Sequence, residues 1–116
     1  MHYTFVLKTV HQRTYPVMQF TEERYKPLDN LPLDDLCHIP AVQTELAKLH
    51  QITKGEIDPY IFAANDWCVI HVTPQTVTVT NSFNEFEPIE ISLAEFTALF
   101  QNWLTFLQQH QSEIRL

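Results

Sequence analysis

The chain has 116 residues, 45% of them apolar and 18% charged, with a net charge of −7, one glycine and seven prolines. A chain of this length buries roughly two-thirds of its unfolded surface, which supports one core over residues 1–116 as a single domain and excludes wholesale disorder. Its longest apolar run, Tyr60 to Ala64, is far shorter than the about 20 residues of a membrane span, and no basic stretch followed by a long apolar segment opens the chain, so a cytoplasmic location is expected.

Taken in order, Tyr3, Phe5 and Leu7 alternate with Thr4, Val6 and Lys8, the period of a strand over 3–10. From Gln12 to Pro40 four prolines interrupt scattered apolar residues, which predicts an extended, partly packed connection that tolerates short turns around Leu33 to Cys37. Pro40 opens a predicted helix over 40–53 carrying Val42, Leu46, Leu49 and Ile52, with Gly55 placed to end it.

Three short apolar runs follow and read as a meander: 60–63, 67–72 and 76–81. Pro74 suits the turn between the last two. The middle run is apolar at both parities, which places it centrally in the sheet. In the last run Val77 and Val79 face inward, while Thr76, Thr78 and Thr80 form a threonine ladder open to solvent or to a partner. Ser92-Leu93-Ala94-Glu95 has capping-box spacing and starts a helix over 92–110 with an apolar stripe of Leu93, Phe96, Leu99, Phe100, Trp103, Leu104 and Leu107. The expected fold is α+β: a small, mostly antiparallel sheet with the 40–53 and 92–110 helices packed against it.

Charge is unevenly spread. Residues 1–54 hold six cations and six carboxylates, whereas residues 55–114 hold no lysine or arginine and eight carboxylates. Nucleic acid is excluded as a ligand of that stretch, because phosphate binding needs clustered cations. A basic protein partner fits a negative surface, and solubility alone also accounts for such a charge.

No enzyme signature is visible. Gly55 is the only glycine, so phosphate-cradling loops and nucleophile elbows are absent, and the chain is read as a non-enzyme without cofactor or metal. Cys37, His38, Cys68 and His71 could in principle make a four-ligand zinc site, but a regular strand puts Cys68 and His71 on opposite faces. The cysteines are better read as buried thiols and His71 as a half-buried, hydrogen-bonded ring.

The connection from Asn81 to Glu90 interleaves aromatics and acids. Glu85, Glu87 and Glu90, with Asp66, are predicted to face solvent or a partner. Phe83 and Phe86 either anchor that partner or, with Ile89, close the core beneath the helix. The ordered set Trp67-x-Val69-x-x-Val72, Val77-x-Val79-x-Asn81-Ser82-Phe83, Ile91-x-Leu93-x-x-Phe96 and Trp103-x-x-Phe106-Leu107 resembles small bacterial immunity proteins of contact-dependent growth inhibition and other polymorphic toxin systems. The likeness covers somewhat less than half the chain and rests on hydrophobic spacing. It implies a protein that binds and neutralises the C-terminal domain of one cognate toxin, a basic domain of nuclease type. The alternative is an adaptor or homo-oligomeric subunit that uses the threonine ladder to add a strand or make a homodimer.

Overall fold

A computed structural model describes residues 1–31, 34–62, 68–81 and 83–116. It shows an α+β fold with two antiparallel sheets, of two and four strands. The chain divides into two compact units, one formed by Met1–Gln43 with Asn102–Leu116 and the other by Thr44–Gln101. Helix α1 (Ile39–Thr53) gives its first residues to the first unit and the rest to the second, and helix α2 (Leu93–His110) divides after Gln101. Among the described residues no helix is long and apolar enough to cross a membrane.

The first unit is built on a hairpin of β1 (Tyr3–Val10) and β2 (Arg13–Phe20). Regular structure within 12–40 corrects the expected extended connection, beginning with β2 itself. His11 and Gln12 take φ of 50° and 66°, the pair of left-handed residues that a two-residue type I′ turn requires. Neither is the asparagine or glycine that normally announces such a turn, so nothing local draws attention to the strand's alternation of exposed Arg13 and Gln19 with buried Pro16, Met18 and Phe20. The pairing of Leu7 with Pro16 sets the proline where it costs no hydrogen bond of the hairpin. Beyond β2, Glu23–Asn30 and Asp34–Cys37 wind into 3₁₀ segments, the first accommodating Pro27.

Trp103 organises the core of this unit. It is fully buried, its indole N–H donates to the Leu36 carbonyl at 2.7 Å, and its ring meets Phe5 edge-on at 5.1 Å. Asn102 adds a hydrogen bond to the Tyr3 hydroxyl at 3.0 Å.

In the second unit the strands β3 (Tyr60–Phe62), β4 (Cys68–Val72), β5 (Thr76–Asn81) and β6 (Ile89–Ser92) lie in sequence order, all antiparallel. The meander is thus as expected but longer by one strand, because β6 occupies the end of what reads as a loop. Only Ile89 and Ile91 mark it, both buried, immediately after Pro88. Strand β4 is interior, yet its faces differ: Cys68, Ile70 and Val72 are buried, Val69 is half-buried and His71 is exposed. The interior position is the one expected, while the exposed His71 corrects the expectation of a half-buried ring, since an antiparallel sheet can leave one face to water.

Both helices keep close to their predicted limits. Gly55, at φ 74°, ends α1 with its N–H on the Ile52 carbonyl and the Glu56 N–H on that of Gln51, a Schellman closure. At the start of α2 the Ser92 hydroxyl accepts the Glu95 N–H at 3.1 Å and donates to the Glu95 carboxylate at 3.2 Å. Phe62 meets Phe96 and Phe100 at 5.1 Å each, fixing α2 on the inner face of the sheet. The β4–β5 hairpin is stapled by Thr73, whose hydroxyl accepts the N–H of Thr76 and whose own N–H reaches the Thr76 carbonyl at 2.9 Å.

Candidate functional site

The loop between β5 and β6 is held from below by one side chain. Asn81 is 6% exposed, the one buried polar residue among those described. Its Oδ1 accepts the N–H of Phe83 at 2.9 Å and that of Glu85 at 3.2 Å, and its carbonyl accepts the N–H of Asn84 at 3.1 Å. Asn84 itself adopts φ 54°, the left-handed conformation that asparagine tolerates well. An asparagine oxygen gathering successive backbone donors fixes a loop without help from a large apolar core.

What this hub presents is unusual. Phe83 is 69% exposed, while Phe86 is half-buried and Ile89 is buried. Of the two roles open to these residues, core closure therefore falls to Ile89 and in part to Phe86, and Phe83 stands in solvent. Glu85, Glu87 and Glu90 are all exposed, and neither Glu87 nor Glu90 joins an ion pair among the described residues. Asp66 lies outside the described residues, as do Trp67 and Ser82.

Glu90 connects the loop to a row of outward side chains. Register places Ile61 beside His71, His71 beside Thr78, and Thr78 beside Glu90, so one line crosses all four strands on the outer face. Ile61 is 57% exposed and His71 is exposed, whereas Thr78 is partly covered. Ile61 and His71 escape notice as surface positions because the runs around them are apolar at both parities; the parity of the buried Phe62 and Ile70 is what resolves them. The threonine ladder lies on this face, but β5 is flanked by β4 and β6 and has no open edge. The ladder therefore has no free edge at which to add a strand.

The cysteine and histidine candidates do not converge. Cys68 is buried on the inner face of β4 and His71 lies on the outer face, and among the described residues no three metal-binding side chains cluster. Burial pushes the Cys68 thiol above its ordinary pKa, which keeps it protonated and unreactive. Cys37 is half-buried rather than buried, and with His38 lines a groove of about 460 Å³ in the first unit together with Pro40, Leu107, Ile114 and Leu116. Apolar side chains dominate that groove, and among the described residues that line it only Cys37 and His38 have metal-binding side chains.

No protein-family model, curated protein or solved structure matches the chain.

Proposed function

We propose that this protein is a non-enzymatic inhibitor of the immunity type, which neutralises a cognate toxin domain by docking an acidic surface onto a basic partner, a nuclease being the class that best fits. The observation that carries the reading is the Asn81 hub: it fixes a loop that carries Phe83, 69% exposed, and the exposed Glu85 and Glu87, with the exposed Glu90 following in β6. A rigid aromatic anchor contributes buried area with little ordering cost, and surrounding carboxylates steer a cationic partner during encounter. A nuclease must be basic to engage phosphates, so such a surface is complementary to its substrate-binding face. The loop and the Ile61, His71, Thr78 and Glu90 row form the docking surface in this reading.

Co-expression with the C-terminal domain of the protein encoded immediately upstream tests it. The expected result is cell survival together with a one-to-one complex whose affinity falls with salt. Charge reversal of Glu85, Glu87 and Glu90 to lysine should slow association about tenfold or more at low ionic strength while leaving the melting curve in place. Absence of both rescue and complex would remove the proposal.

A further inference from the structure

The two-stranded sheet of the first unit has two outer edges, and they are unlike. On β2 the outward-pointing main chain belongs to Thr14, Pro16, Met18 and Phe20, because Thr14 exchanges both backbone hydrogen bonds with Arg115, at 3.0 and 2.7 Å, and parity fixes the rest. That edge is blocked at three of its four outward residues. Arg115 covers Thr14, Pro16 has no N–H, and at Phe20 the N–H donates to the Asp29 carboxylate at 2.7 Å while the carbonyl accepts from the Lys26 ammonium at 2.8 Å. These are the devices by which proteins blunt a strand against edge-to-edge pairing.

On β1 the antiparallel register turns Phe5, Leu7 and Thr9 outward, opposite Met18, Pro16 and Thr14. Among the described residues no hydrogen bond reaches the main chain of these three. A blocked edge and an open edge on the same hairpin make the open one a pairing surface.

We propose that two copies of the chain join through antiparallel pairing of β1 with β1 about a two-fold axis at Leu7. This register satisfies all six main-chain groups of Phe5, Leu7 and Thr9 in each copy at once: Leu7 faces the second copy's Leu7, and Phe5 faces the second copy's Thr9. On the solvent face Val6 meets the second copy's Lys8 and Thr4 meets the second copy's Val10, so no like charges stand directly opposite each other. Val10, 45% exposed in the single chain, gains cover. The second copy is the fitting occupant because the product closes. Pairing converts a two-stranded ribbon, marginal by itself, into a four-stranded sheet ordered β2-β1-β1-β2, and both of its new outer edges are the blocked β2 edges, so growth stops at two. Such pairing is independent of the inhibitor reading and, unlike the inhibitor complex, is not weakened by salt.

Sedimentation velocity on the full chain over a wide concentration range, at low and high salt, should show a monomer–dimer equilibrium that salt does not weaken. Thr9→Pro removes an outward N–H at an exposed position and should abolish the dimer while leaving the far-ultraviolet circular dichroism unchanged. Val6→Glu sets a carboxylate against the second copy's Lys8 twice per dimer and should tighten it roughly fivefold. Leu7→Cys supplies a readout of register that survives if Thr9→Pro fails to fold: hydrogen-bonded antiparallel partners sit about 5.5 Å apart at Cα, within disulfide range, so mild oxidation should cross-link the pair beyond any background from Cys37. A chain that stays monomeric at every concentration overturns the proposal, as does a dimer that Thr9→Pro leaves intact or one that dissociates steeply as salt rises.

Discussion

Five cations stand against six carboxylates in the first unit, whereas two stand against eight in the second. Each distribution accompanies a different kind of surface. The nearly neutral unit exposes main-chain donors and acceptors along one strand, a surface whose attraction is short-ranged and barely screened by salt. The acidic unit exposes carboxylates around an aromatic ring on a fixed loop, a surface that acts at longer range and weakens as the Debye length shrinks. A small chain can thus carry two unlike contact chemistries when its charge is segregated.

The contrast is tested most severely by unmaking one side of it. Trp103→Ala should destabilise the protein by about 3–5 kcal/mol in a denaturant titration, since it deletes the largest buried ring of the first unit and strands the Leu36 carbonyl. Trp103→Phe keeps most of the ring volume and should recover a large part of that loss. In the second unit, Asn81→Ala removes the acceptor for two loop N–H groups and should cost about 1–3 kcal/mol. Faster amide exchange at Phe83 and Glu85 would show that the hub, rather than general destabilisation, is responsible.

These two anchors also show what the sequence could reveal. Trp103 is visible as part of a helical stripe, and its helix is announced by Ser92 and Glu95, because caps and stripes are local in sequence. The limits of α1, the β4–β5 turn at Pro74 and the inward valines of β5 are legible for the same reason. Strand β2 is not, because its turn uses His11 and Gln12 in a conformation that their side chains do not announce, and because Pro16 reads as a breaker until its partner Leu7 is known. Strand β6 is masked by Pro88 before its two isoleucines and Glu90 between them. Of the candidate site, the carboxylates Glu85, Glu87 and Glu90 are legible from the absence of nearby cations. The exposure of Phe83 is not, since it depends on an asparagine two residues earlier folding the loop outward.

Smaller substitutions probe finer differences between the units. Ser92→Ala should cost about 1 kcal/mol by removing the acceptor for the Glu95 N–H, with the loss confined to the second unit's helix start. Circular dichroism melts would detect it.

Tyr60→Phe should have the smallest effect at neutral pH, within about 0.5 kcal/mol, because the Tyr60 hydroxyl is buried without a hydrogen-bond partner among the described residues. Burial, reinforced by the Glu45 carboxylate, pushes this phenol above its ordinary pKa. The folded state therefore holds its proton more tightly than the unfolded one. The resulting stabilisation is complete below the ordinary tyrosine pKa of about 10 and is lost as pH rises through the folded value. Alkaline melts of wild type and Tyr60→Phe should diverge above that pH, with the variant the less sensitive.

The two units also differ in when they can be completed. The second is one uninterrupted stretch, residues 44–101, so every partner it needs has been synthesised once Gln101 is added. The first is assembled from both ends of the sequence, and the Leu36 carbonyl waits 67 positions for the indole that satisfies it. During synthesis the β1–β2 hairpin therefore emerges early, with Phe5 lacking its ring partners until Trp103 and Phe106 arrive. A nascent chain halted near Gln101 should combine a folded acidic unit with an apolar, unclosed hairpin, the state in which this protein is most exposed to chaperones and proteases.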